Sequence, residues 1–222
     1  SGITRPIAWS GGAYDAQPFI RAGAIRRGSI RTLWRSEPMT RLHQRILYAL
    51  AAFVLVPLLA LASYDLFVFQ PYRPDIDKLI ARASSSEKKP PEPLRRVLRI
   101  SYEDRLAWHV AKQLLLELDA ASASGSKIGW HATNVLWWLL SQVHLSEAQR
   151  TTLFLSLFYM GNDQRGFERA SPGIVGVPLA EVSVDQAATL VTVGKSPAAY
   201  LANRERLAQS AGRLAERANN GP

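Results

Sequence analysis

Few residues in this chain are equipped for chemistry, and their spacing excludes more than it offers. With no cysteine anywhere, disulfides, thiolate nucleophiles and cysteine-type zinc sites are absent. His109, His131 and His144 fall at intervals unlike HExxH or any other recognised zinc spacing, so they read as ordinary, partly buried histidines and no metal site is expected. No G-x-S-x-G elbow and no P-loop occurs, which leaves serine-hydrolase and nucleotide chemistry without support. One acidic pair remains, Glu103-Asp104, within Ile100-Ser-Tyr-Glu103-Asp104-Arg105. Carboxylates in the first turn of a helix favour its dipole, and that is reason enough for them. A Glu at a helix start beside a cleft can also serve as a general base. The residues alone leave both readings open.

Positioning such a pair requires a folded domain. The 222 residues are 47% hydrophobic, with 27 Lys+Arg against 18 Asp+Glu and a net charge of +9, which excludes disordered, collagen-like and disulfide-scaffold classes. The apolar residues are unevenly placed. Ile46–Ala62, ILYALAAFVLVPLLALA, carries no charge, and Leu66–Phe69 resumes the run. Residues 46–69 therefore read as a single-pass transmembrane signal-anchor helix, since crossing a bilayer takes roughly 17–25 apolar residues. A buried core helix is the weaker reading, because Ile46–Ala62 offers no polar face. Residues 1–45 hold Arg5, Arg21, Arg26, Arg27, Arg31, Arg35, Arg41 and Arg45 against Asp15 and Glu37. They read as a flexible basic tail kept on the cytoplasmic side, which places the rest of the chain on the outer side of the membrane. Ser1 is not an initiator Met, so the tail reads as a fragment or a processed end. A rival start at Met39 would make 39–62 a cleavable signal ending at Ala60-Leu-Ala62; the apolar stretch is long for that. Because much of the basic charge flanks the span, nucleic acid is not expected as a partner.

Beyond the span, residues 70–97 hold Pro71, Pro74, Ser84-Ser-Ser86 and Lys88-Lys-Pro-Pro-Glu-Pro93, and read as a spacer with one short helix at Asp75–Ala83. Leu106, Val110, Leu114 and Leu118 align on one face of a helix over Leu98–Asp119. Ala120–Lys127 reads as a small-residue loop, and Ile128–Val143 as a very apolar helix with Trp130, Trp137 and Trp138. Ser146 is an N-cap for a helix ending near Met160-Gly161. Gly161–Val177, with its Gly and Pro, reads as a long loop. Helices are expected over Ser183–Val193, capped by Ser183, and from Pro197 or Ala202 to Ala218. No strand pair is evident. The fold class is mainly α: a membrane anchor followed by one small helical domain over 98–218.

The carboxy-terminal third adds a resemblance. Leu145-Ser146-Glu-Ala-Gln-Arg150, Leu155-Ser-Leu-Phe-Tyr159-Met-Gly161, Gly166-Phe167-Glu168-Arg-Ala170, Val177-Pro-Leu179-Ala-Glu-Val-Ser183-Val-Asp-Gln186-Ala187-Ala188, Gly194-Lys-Ser-Pro197-Ala-Ala-Tyr200 and Asn203-Arg-Glu-Arg206 follow one another. In order and spacing this resembles the end of the peptidoglycan glycosyltransferase domain of family 51, the transglycosylase module of monofunctional enzymes and class A penicillin-binding proteins. The resemblance spans about Leu145 to Arg217, spread over many weak positions. It implies a lysozyme-like helical fold against the bilayer, a lipid-linked peptidoglycan precursor as substrate, and other cell-envelope proteins as partners. Glu103-Asp104-Arg105-Leu-Ala-Trp108-His109 resembles the family's E-D-x-x-F-x-x-H with the His one residue early. By resemblance Glu103 is the catalytic base, Asp104, Ser126 and Lys127 bind substrate, and a divalent cation such as Mg assists the leaving diphosphate.

The same resemblance carries its own deficits. Ser124-Gly125-Ser126-Lys127-Ile128 resembles the donor-site loop, but Trp130 and His131 stand where two Gln belong. The family's second catalytic Glu falls on Asn134 when its helix is aligned backwards from Ser146, and is deleted otherwise; either way it is missing, and an amide cannot share a proton as a carboxylate does. The expectation is therefore a glycosyltransferase-like protein with impaired catalysis. A non-catalytic single-pass envelope interaction protein is the alternative.

Overall fold

The computed structural model describes residues 37–102, 105–120 and 127–221, with side chains from residue 41. It is mainly helical and divides into two units, Ser1–Ala51 and Ala52–Pro222. In the first unit the described part is the start of α1, Glu37–Tyr64, where Leu47 and Tyr48 lie open to their surroundings.

The second unit holds the rest of α1 and every other element. Residues Arg41–Arg82 form one unbroken helical run, long and apolar enough to cross a membrane, and none of its most apolar window is buried by protein. Phe53 is 79% exposed and Phe67 75%, a pattern opposite to that of a core helix. At the foot of α1 the helix widens into a π-turn over Asp65–Phe69, tightens over Gln70–Tyr72, and continues as α2, Arg73–Arg82. There the surface character changes within a few residues: Phe69 and Ile76 are fully buried.

Residues 70–97, expected as a spacer, are built into the domain. After α2 come α3, Ser85–Lys88, and α4, Glu92–Tyr102, whose Leu94, Val97 and Leu98 lie in the core. The prolines start helices here, since Pro in a first turn sacrifices no hydrogen bond. Ser84 caps α3 through a reciprocal pair with Glu87, and the same carboxylate accepts the backbone N–H of Glu168, tying α3 to a distant segment. The helix expected over Leu98–Asp119 is two helices, α4 and α5, Leu106–Glu117.

α6, Lys127–His144, and α7, Glu147–Leu157, follow the expected order, and Ser146 caps α7 with its hydroxyl on the Gln149 N–H. α7 stops at Leu157, because the chain then turns into a hairpin of β1, Tyr159–Gly161, and β2, Gln164–Arg165. Asn162 and Asp163 both take positive φ, as a two-residue hairpin turn demands. The expected loop over Gly161–Val177 is thus this hairpin plus α8, Phe167–Val175, which tolerates Pro172 because Phe167, Ala170 and Ser171 are buried and hold it in place.

α9, Val184–Lys195, runs through the middle of the domain, with Leu190, Val191, Thr192, Val193 and Gly194 all buried. Gly194 lets α9 pack close to Phe158, whose ring a Cβ would meet at 3.1 Å, tighter than an ordinary contact. α10, Pro197–Ala202, and α11, Arg204–Asn220, close the unit, α11 lying along α9 and α4.

Candidate functional site

Three features of the second unit bear on function: the joint at the foot of α1, the α4–α5 corner, and a basic cleft.

The joint is built on α6. Phe69 sits edge-on to the fully buried Trp137 at 5.1 Å between ring centres and stacks on His144 at 5.4 Å. His144 Nε2 meets an Asp65 carboxylate oxygen at 3.0 Å, and Arg73 donates to the His144 carbonyl at 2.8 Å. Aromatic packing with partly buried polar contacts fixes this junction in direction as well as place. Residues 137, 141 and 144 share one face of α6, as 3.6 residues per turn dictates.

The α4–α5 corner is where Glu103-Asp104 falls. Both residues lie outside the described set, as does Ser126. At the corner between α4 and α5 the described side chains gather three polar groups among aromatics. Tyr102 is buried, its hydroxyl has no hydrogen-bond partner among the described residues, and burial pushes its pKa well up. His109 lies 5.1 Å from the Tyr102 ring; burial first, then the charges of Lys112, Arg105 and Lys195, holds its pKa below the usual histidine value. Lys195 from α9 stands over the Tyr102 ring at 5.7 Å. Shifted, clustered groups of this kind are what a binding or catalytic corner requires, although structural clusters show them too. Tyr102 and Lys195 were not singled out from the sequence, because nothing in local spacing links α4 to α9.

Lys127 is the exposed first residue of α6. Asn134, where the family pattern would set its second carboxylate, is completely buried, and neither of its amide atoms has a partner among the described residues. It faces protein, not a substrate cleft. Of the three histidines expected to be partly buried, His109 and His144 are, whereas His131 is exposed. Among the described residues no group of three His, Asp or Glu is placed to hold a metal ion.

The cleft, of about 1450 Å³, is bordered by the α3–α4 turn, α4, the start of α5, one side of α6 and the start of α7. Lys88, Lys89, Arg95, Arg96, Arg99 and Arg150 line it against the acids Glu92 and Glu147. Three of these cations have structural duties: Arg150 donates to the Leu145 carbonyl at 2.6 Å and so caps α6, Lys88 reaches the Ala81 carbonyl at 2.7 Å, and Arg95 pairs with Glu92 at 2.6 Å. Leu98, Leu106, Ala107 and Trp138 form its apolar part. No sequence motif announces it, since the cations come from segments that only folding brings together.

Comparison of the chain with family models, with curated proteins and with solved structures gives no match.

Proposed function

We propose that this chain is a single-pass, membrane-anchored protein of the bacterial cell envelope, with a glycosyltransferase-like domain that binds a lipid-linked disaccharide of cell-wall synthesis and sustains little polymerisation. The observation that carries the anchoring is the apolar run of α1, exposed along its length and locked at its foot to α6. Apolar surface of that extent left open in a folded protein marks a lipid or protein contact. The arginines before the span orient the amino terminus to the cytoplasm and the helical domain to the periplasm.

For the substrate, support comes from the order of segments between Leu145 and Arg217 and from the α4–α5 corner. In this reading Glu103 would be the base toward the acceptor hydroxyl, while Asp104, Ser126 and Lys127 would contact the diphosphate. Lys127 is exposed. Weak catalysis is supported by Asn134: a buried amide in place of a carboxylate cannot take part in proton transfer or hold a cation. The divalent cation that the family would use has no such donor set among the described residues, and the reading assigns it no step.

The test uses full-length protein in detergent with a lipid-linked disaccharide diphosphate, reading binding and glycan polymer separately. Binding without polymer, changed less than about twofold by Glu103→Gln, is the expected result. Polymer that disappears with Glu103→Gln would make the protein an active glycosyltransferase. Neither binding nor polymer would remove the substrate reading and leave the alternative, a non-catalytic envelope interaction protein held by the same anchor.

A further inference from the structure

We propose that the cleft between α4 and α7 binds the phosphodiester headgroup of an anionic phospholipid, giving the domain a second hold on the bilayer. This rests on α1 being a membrane span and is independent of the glycosyltransferase reading.

Charge is the first reason. Lys89, Arg96 and Arg99 line the cleft with no ion pair among the described residues, and the neighbouring acids are few. Unpaired cations around a concave surface concentrate anions, and a guanidinium fork matches phosphate oxygens in pairs.

The second reason is that the cleft is amphiphilic. Leu98 is 3% exposed beneath the cations, and Leu106, Ala107 and Trp138 extend that apolar floor. A bare polyanion would have no use for such a floor. The glycerol and upper acyl region of a lipid would cover it while the phosphate meets the arginines.

Placement is the third. Trp138 and Gln142 present one side of α6 to the cleft. On the adjoining side Ile128, Val135, Leu139 and Val143 form an open apolar stripe, with Ile128 83% and Val143 76% exposed. On the buried side Trp137 and His144 grip the foot of α1. A single helix about 10 Å across thus carries the anchor's foot, the cleft wall and an uncovered apolar stripe. Apolar residues beside a basic rim are the composition of surfaces that lie in a bilayer interface. An acidic protein segment would satisfy the cations and leave the stripe uncovered; a lipid surface accounts for both.

Full-length protein, delipidated in detergent, is titrated with short-chain phosphatidylglycerol and with phosphatidylcholine. Wild type is expected to prefer the anionic lipid at least tenfold. Arg96→Gln/Arg99→Gln should erase the preference, while the charge-matched pair Arg213→Gln/Arg217→Gln, exposed on α11, should keep it. Lys89→Gln, in the exposed turn before α4, provides the same reading should the double variant unfold. No preference in wild type, or equal loss in both double variants, overturns the proposal. So does complete displacement by millimolar inorganic phosphate, which would make the cleft a free-phosphate site. Because binding is read in detergent, failure of α1 to hold the chain in membranes would appear separately, in extraction of the protein from vesicles.

Discussion

At the scale of single residues, Tyr102 shows how buried polar atoms constrain interpretation. Its ring packs edge-on against Phe154 at 4.7 Å and His109 at 5.1 Å, which explains the aromatic but not the hydroxyl. With no partner among the described residues, that hydroxyl has lost its hydration without a protein bond in return, at a cost of about 1–3 kcal/mol. Tyr102→Phe should therefore leave the unfolding free energy unchanged or raise it by up to about 1 kcal/mol in a denaturant titration. A loss of more than that would mean that the hydroxyl holds something in the folded protein. Should ligand binding at the corner fall while stability holds, the hydroxyl is there for the ligand. Asn134 is the companion case: its position was legible by alignment to the family pattern, but only packing shows that it faces protein.

At the scale of elements, the helix starts were the most legible features. Ser146 and Ser183 were expected as caps, and each accepts the N–H three residues on, with Gln149 and Gln186 closing the reciprocal bond. Removing such a hydroxyl typically costs about 1 kcal/mol. Ser146→Ala and Ser183→Ala should each lower the unfolding free energy by about that amount, measured by urea titration, and Ser146→Asp should restore most of it. An unchanged midpoint in Ser183→Ala would show that α9 is held wholly by its buried neighbours. Other elements were illegible for stated reasons. The prolines of 70–97 suggested a spacer because their helix-starting role depends on Leu94 and Val97 finding a core to enter. Pro172 and Gly173 hid α8, a helix stabilised by the burial of Phe167 more than by local propensity.

At the scale of the molecule, the apolar run of α1 and the joint beneath it make one prediction. Membranes from cells expressing the full chain should retain it through alkaline carbonate washing, and removing residues 1–62 should release it. Release of the intact chain by carbonate would contradict the span. A second readout is the accessibility of the domain to protease added outside the inner membrane, which the arginine-rich amino terminus predicts. The joint should matter as well, since Phe69, Trp137 and His144 couple the foot of α1 directly to α6 rather than through a flexible tether.

What the amino-acid order determined by itself was local in origin. Charge-free length marked the apolar helix, serine caps marked helix starts, and periodic leucines marked helical faces, because each depends on residues within a few positions of one another. The acidic pair and the spaced segments after Leu145 were also visible, as a resemblance. Only tertiary structure decided that residues 70–97 belong to the core, that Asn134 is sealed, that Tyr102 meets Lys195, and that cations from residues 88 to 150 share one cleft with Trp138. Those facts depend on which distant surfaces exclude water from one another, and the burial that brings α4, α6, α7 and α9 together is a property of the whole chain.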